Sequence, residues 1–268
     1  MNIVTKISDW QALRSTLTNK TIGFACTMGH LHAGHMSLYD RSRRENELTV
    51  ASIFVNPAQF NQKSDFDLYP RTVEQDIAML EKHHVDILFL PDADEMYPDQ
   101  YDVRVTEMTI SKELEGEFRP GHFDGMLTVV LKLLNLVQPT HAYFGEKDYQ
   151  QLLLIKKMAQ ALFLPVKIMG CETGRANDLL ALSSRNSRLT PEQKKLAAKL
   201  PEIIAQDISA DEAINKLVAA GFKVDYVCDK WDRRLAAVWL GDVRLIDNVG
   251  WAKAKGRAHQ EQEAESCK

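Results

Sequence analysis

Four short runs rich in β-branched and aromatic residues constrain this chain most: Ile22 to Cys26, Thr49 to Val55, Asp86 to Leu90 and Ala142 to Phe144. Each adjoins a longer segment with apolar residues at helical spacing, near His35 to Glu45, Val73 to His84, His122 to Val137 and Asp148 to Leu162. Strand and helix in alternation build a parallel sheet covered on both faces, because a parallel pair needs a long crossover between its strands.

The expected class is therefore α/β with a Rossmann-like parallel sheet. Such sheets bind ligands outside the carboxyl ends of their strands, so the loops after Cys26, Val55 and Phe144 should converge on one site. The texture changes after Asn186. Thr190 can cap a helix that has Pro191 at its first position and Glu192 just after, a strong helix start. A further helix over Ala210 to Ala220 stops at Gly221, and strand-like Lys223 to Cys228, Ala236 to Leu240 and Val243 to Ile246 follow. The layout expected is a large domain over 1–186 and a smaller C-terminal α+β domain over 187–252. From Lys253 onward the chain is polar without apolar periodicity, and 253–268 is expected to be disordered. At 268 residues, 45% of them hydrophobic, there is material for both cores.

Charge narrows the partners. Lys plus Arg total 33 against 37 Asp plus Glu, a net −4, which gives no global field for nucleic acid or an anionic membrane. The longest apolar segment, residues 125–137, is interrupted by Lys132 and Asn135 and falls short of the roughly 20 residues that span a bilayer. Lys6, Ser8 and Asp9 stand where an export signal would need an apolar stretch. Cys26, Cys171, Cys228 and Cys267 form no CxxC pair, which fits neither a disulfide framework nor a zinc knot, so a reducing cytoplasm is the expected location.

The most informative stretch is TMGHLHAGH, residues 27–35, which leaves the first strand and enters the first helix. Gly29 and Gly34 permit close backbone approach, the helix start offers unpaired N–H groups to an anion, and His32 and His35 can project as donors to phosphoryl oxygens. The plainer alternative is that the two histidines are surface or capping residues. A metal reading needs a third ligand and a carboxylate behind the histidines to orient them, which the motif lacks, and there is no GxxxxGK[ST] loop. FGEKDYQQ, residues 144–151, sits at another strand exit: Lys147 can neutralise phosphate, Asp148 can accept from ribose hydroxyls, and Gln151 presents an amide, while Glu146 reads as part of an ordinary charged helix start. LSSRN, residues 182–186, joins two hydroxyls and a guanidinium suited to polyphosphate, or forms a loop or helix cap. Asn56 and Gln59 can orient a small polar substrate or belong to a turn started by Pro57. Arg119 and His122 offer a bidentate arginine for phosphate or carboxylate, or a capping pair.

Taken in order, TMGHLHAGH, SIFVNPAQF, DLYPRT, RPGHFDGMLTVVLKLLNLVQP, FGEKDYQQL and SSRN closely resemble the pantothenate synthetase, or pantoate beta-alanine ligase, family over roughly residues 20–190. The HxGH element alone would mark only an adenylyltransferase of the broader HxGH type. The resemblance implies a two-step ligase: pantoate and ATP with Mg2+ give an acyl-adenylate and pyrophosphate, then the beta-alanine amine gives pantothenate and AMP. It implies that Met28, Gly29, His30, Leu31, His32, Ala33, Gly34 and His35 contact ATP, with His35 as proton donor. Gly145, Glu146, Lys147 and Asp148 would bind ribose and phosphate, Gly174 would meet adenine, and Leu182, Ser183, Ser184 and Arg185 would close over the nucleotide, making the second domain a lid. Gln59 and Gln151 would hold pantoate; His32, His35, Lys147 and Arg185 would carry the chemistry. No protein metal ligand is implied, Mg2+ arriving through the ATP phosphates, and a homodimer is expected. Leu179 stands where the family usually has glycine, Leu182 where it has methionine and His30 where it has a small residue.

The alternatives are another HxGH-type adenylyltransferase with a different acceptor, such as phosphopantetheine or nicotinamide mononucleotide, and a catalytically dead nucleotide-binding or scaffold protein. Pantoate-dependent pyrophosphate exchange separates the first. Loss of His35, Lys147 or Arg185 would have suggested the second, and all three are present.

Overall fold

The computed structural model describes residues 1–60, 66–67 and 69–251, so the expectation of a disordered 253–268 lies outside the described residues. The chain divides into two compact units, Met1–Glu172 and Thr173–Lys268. The division comes ahead of the boundary expected after Asn186. Leu180 already belongs to the apolar core of the second unit, and Arg175 forms an ion pair with Asp247 of that unit at 2.8 Å.

The first unit is a six-stranded sheet built from β1 (Asn2–Val4), β2 (Ile22–Thr27), β3 (Leu48–Ile53), β4 (Ile87–Phe89), β5 (His141–Gly145) and β6 (Lys167–Cys171). Their order is β1-β4-β3-β2-β5-β6, and every neighbouring pair is parallel. Successive side chains on a strand point to opposite faces, and here both faces are apolar. Phe24, Val50, Ile87, Phe89, Ala142 and Phe144 enter one core with the helices His122–Val137 and Tyr149–Ala161. Ala25, Ala51, Leu88 and Tyr143, one position along, enter the other with Met36, Leu38 and Tyr39 of helix Ala33–Glu45 and Leu80 of helix Val73–Lys82. This two-sided burial is why these strands read as continuous apolar runs.

From β2 the chain moves outward through β3 and β4, then returns to place β5 against the other side of β2. That reversal is a topological switch point, where doubly wound sheets open a crevice for ligands. Gly23 pairs with His141 and Phe24 with Ala142, and the same register continued brings Thr27 opposite Gly145. The loop 27–35 and the turn after Gly145 therefore leave the sheet side by side.

The second unit carries helices Pro191–Ala197, Lys199–Ile204 and Ala210–Ala219 and an antiparallel sheet of β7 (Lys223–Lys230), β8 (Arg233–Leu240) and β9 (Val243–Gly250) in that order. The first two helices are separate pieces, and Pro201 has no N–H with which to continue one helix through the junction. The strands run longer than their apolar patterns suggest. Arg234 is fully buried on β8, its guanidinium meeting Asp229 at 2.6 and 2.8 Å and the carbonyls of Gln206 and Ile208 at 3.2 and 2.7 Å. No helix among the described residues is long and apolar enough to cross a membrane.

Candidate active site

The loop after β2 is built from a glycine, a strained residue and a histidine cap. Gly29 has φ 79° and His30 φ 50°, both in the left-handed region. A Cβ on Gly29 would come within 2.9 Å of Asp76 Oδ2 and 3.2 Å of Ile53 Cγ2, so glycine answers both the conformation and the space. The amides of His30 and Leu31 donate to the two oxygens of Asp76 at 2.9 and 2.7 Å.

His32 and His35 then start the helix Ala33–Glu45 with a reciprocal cap. His32 Nδ1 accepts from the Gly34 amide at 3.1 Å, and the His32 amide donates to His35 Nδ1 at 3.3 Å. The rings stack with centroids 4.0 Å apart. The capping and donor readings are thus the same geometry: with both Nδ1 atoms accepting, each neutral ring carries its proton on Nε2, free to donate outward. Burial holds the pKa of His32 down to about 4, reinforced by the Lys147 charge. Burial, with His32 and Lys147, holds that of His35 down to about 3. Both rings are neutral hydrogen-bond donors at pH 7.

Lys147 lies in the turn Glu146–Asp148 that follows β5, and its charge contributes to the lowered pKa of both imidazoles. Nothing lies within 4 Å of a Cβ built on Gly145, so the end of β5 is open space. The donors gathered here are two imidazole N–H groups and an ammonium, a set matched to phosphoryl oxygens.

Two amides complete the first-unit set in different ways. Gln59 ends the turn Pro57–Gln59 and is buried; its Oε1 accepts from Asn56 Nδ2 at 3.2 Å and its Nε2 donates to Met28 Sδ at 2.7 Å. Asn56, fully buried, also donates to the Gly125 carbonyl at 3.0 Å and accepts from Tyr97 Oη at 2.9 Å. Gly125 is required by this contact, since a Cβ there would strike the Ala58 carbonyl. Gln151 instead projects from the first turn of its helix with no side-chain partner among the described residues, while neighbouring Gln150 is buried and spent on the backbone of Ile110, Glu113 and Glu115.

Arg119 and His122 are tied to that same turn: Arg119 donates to His122 Nε2 at 3.0 Å, and His122 Nδ1 donates to the Gln59 carbonyl at 2.8 Å. In the second unit, Ser183 caps the turn Ser184–Arg188 by accepting from the Arg185 amide at 3.3 Å, and the Leu182 amide donates to the Gly174 carbonyl at 2.8 Å. Asp76, Asn56 and Gln150 are buried polar residues that the site rests on. Asn56 and Gln150 lie within stretches that the sequence singles out, Gln150 without a role there, and Asp76 lies in none.

Comparison with known proteins agrees along nearly the whole chain. The Pantoate-beta-alanine ligase family model matches residues 2–250. A pantothenate synthetase of Coxiella burnetii is 54% identical over 253 residues, 94% of this chain and 98% of its own. One from Legionella pneumophila is 49% identical over 249 residues, 92% of this chain and 99% of its own. Among solved structures, the pantoate-beta-alanine ligase of Francisella tularensis, complexed with beta-gamma ATP and beta-alanine, matches with TM-score 0.89 and 43% identity over 93% of this chain and 97% of that one. The pantothenate synthetase of Thermus thermophilus matches with TM-score 0.85 and 41% identity over 93% and 99%. With its sheet order, its paired histidines and these relatives in agreement, the chain belongs to the pantoate-beta-alanine ligase family.

Proposed function

We propose that this ATP-dependent ligase of pantoate and beta-alanine works through a pantoyl-adenylate, with the first unit's switch-point crevice as the adenylation site. The observation that carries the reading is the stacked, neutral His32–His35 pair after β2, with Lys147 in the turn after the neighbouring β5. In the first step a pantoate carboxylate oxygen bonds to the α-phosphorus of ATP and the bond from that phosphorus to the bridging oxygen breaks, releasing pyrophosphate. In the second, the beta-alanine amine bonds to the acyl carbon, AMP leaves, and the amine gives up a proton.

No covalent nucleophile is required of the protein. Its task is to stabilise the charge that gathers on the departing pyrophosphate and to hold the reactants in line. Neutral Nε2–H donors suit that task because they approach phosphate oxygens without a buried charge of their own, and Lys147 adds the positive charge. His35 acts in this reading as a donor of a hydrogen bond. Gln59, fixed by Asn56 and Met28, and Gln151, without a side-chain partner among the described residues, are assigned to pantoate, whose hydroxyls and carboxylate both groups can meet. Met28 to Gly34 and Gly145 to Asp148 are assigned to the nucleotide, as are Gly174, Leu182, Ser183, Ser184 and Arg185 of the second unit on the family pattern.

Mg2+ is assigned to the substrate. The site's donors suit anions and not a cation, so the ion would be carried by the ATP phosphates.

The test is a substrate-omission matrix. Pyrophosphate exchange into ATP should require pantoate and proceed without beta-alanine, and net AMP formation should require all three substrates. Exchange that is equally fast without pantoate would overturn the adenylate route.

A further inference from the structure

Asp76 lies in the first turn of helix Val73–Lys82, outside the motifs that the sequence singled out, and is only 2% exposed. Its Oδ2 accepts from the His30 amide at 2.9 Å and the Thr72 hydroxyl at 3.2 Å; its Oδ1 accepts from the Leu31 amide at 2.7 Å. Removing a carboxylate from water is costly unless donors surround it. Here two successive amides of a loop more than forty residues earlier in the chain supply them.

The loop so held is one that would not keep this shape unaided. Residues with a Cβ avoid the left-handed region that His30 occupies. Immediately after the held amides comes His32, whose ring caps the helix and stacks on His35. Any swing of residues 29–31 is therefore passed directly to the two imidazoles. The same bonds turn the His30 and Leu31 amides toward Asp76, so these two N–H groups serve the loop and leave the Nε2–H groups to serve the anion.

We infer that Asp76 is a positioning residue for adenylation: by binding the His30 and Leu31 amides it fixes the direction from which His32 and His35 meet the polyphosphate. It touches no reacting atom. The inference rests on the assignment of those histidines to ATP.

The experiment uses the full chain and compares the wild type with Asp76→Asn and Gly29→Ala in pantoate-dependent pyrophosphate exchange, with pantoate affinity by calorimetry and folded fraction by thermal melting. Asp76→Asn keeps the volume but turns an NH2 toward one of the donors. Gly29→Ala keeps the carboxylate but sets a Cβ against it. Misplaced catalytic groups cost roughly 10²-fold, so each variant should lose about that much in kcat per folded molecule while pantoate affinity changes less than about twofold. In 15N-histidine spectra, the accepting Nδ1 signature of His35 should be disturbed in both. A lower melting temperature with kcat per folded molecule unchanged in either variant would overturn the inference. If Asp76→Asn does not fold, Gly29→Ala with normal kcat and an undisturbed His35 signature overturns it alone. Failure of the underlying reading is separate, because it shows in the wild type as exchange without pantoate.

Discussion

The loop after β2 and the hairpin over residues 175–181 each hold a bulky residue at positive φ, His30 at 50° and Leu179 at 67°, and they do so by different means. His30 is held from outside its own segment, by a buried carboxylate from another helix. Leu179 is held by the residues of its own hairpin: the Leu179 amide donates to the Ala176 carbonyl at 2.9 Å, the Ala176 amide to the Leu180 carbonyl at 2.9 Å, and Arg175 Nη1, itself paired with Asp247, to the Leu179 carbonyl at 2.9 Å. Its side chain is 58% exposed. Strain that the surrounding structure over-determines can be kept for function. Strain held by the bonds of one short hairpin is open to relief by a single substitution.

The largest test of this contrast is His35→Ala. Removing one donor to developing charge should lower single-turnover adenylate formation by roughly 10²-fold or more, with the fold retained because the ring's capping bond is only one of several at that helix start. An unchanged rate, measured by quench-flow with saturating pantoate, would place His35 in the cap alone.

Acid should act on the same loop and spare the hairpin. Between the ordinary histidine pKa near 6.5 and the folded values of about 4 for His32 and about 3 for His35, the unfolded chain binds more protons than the native one. The stability these rings contribute by staying neutral is therefore complete above about pH 6.5. It is lost progressively as pH falls toward 4 and then 3, by about 1–2 kcal/mol per ring at pH 5. A His32→Gln, His35→Gln double variant should show a flatter stability profile between pH 7 and 5 in urea denaturation. Equal slopes would mean that the rings titrate normally.

How much of this was legible in the sequence follows from burial. β2 to β5 announced themselves because both faces are covered and their apolar residues run together. β1 has three residues and β6 is mostly half-exposed, so neither carries a readable period. The second unit's β8 looked shorter than it is because Arg233 and Arg234 read as loop. Only the fold shows that Arg234 has Asp229, two carbonyls and, 3.6 Å from the guanidinium carbon, the Trp251 ring to receive it. Site residues on loops with glycine and histidine stood out by type and spacing. Asp76 did not, since an acid in the first turn of a helix is also what the helix dipole favours. Gln150 and Gln151 are chemically identical neighbours, and their separation into a buried staple and an amide without a partner among the described residues comes from helix facing alone.

That pair sharpens the comparison between fixed and free groups at a smaller scale. Gln151→Ala should weaken pantoate about tenfold, the size of one hydrogen bond, with no change in melting temperature because no partner among the described residues is lost. Gln59→Ala should weaken pantoate similarly and also destabilise the fold by about 1 kcal/mol, since Asn56 Nδ2 loses an acceptor. Calorimetry and thermal melts on the two variants check both. If Gln151→Ala destabilised as much as Gln59→Ala, the distinction between them would fall.

The smallest effect expected is at Leu179, where the family usually carries glycine. The hairpin has a turn closed from Ala176 to Leu179, whose last residue, Leu179, is the left-handed one, an arrangement that takes glycine without strain. Leucine at such an angle costs about 1–2 kcal/mol, and glycine returns about half of that by raising the entropy of the unfolded chain. Leu179→Gly should therefore stabilise the second unit by about 0.5–1 kcal/mol, read as a rise of roughly 2–8 °C in its melting transition. Leu179→Ala is the control: it removes the exposed side chain but keeps the Cβ and hence the conformational penalty, so it should give no such rise. Equal gains from glycine and alanine would assign the strain to the leucine side chain, and no gain from either would mean that the turn relaxes around Leu179 at no cost. His30→Gly makes the same exchange in the loop after β2. There the Asp76 carboxylate already holds the backbone, so relief of strain should again raise stability slightly, while the adenylation rate reads what the His30 side chain itself gives to the nucleotide. A large loss of rate in His30→Gly would show that the histidine side chain, and not only the turn it occupies, belongs to the site.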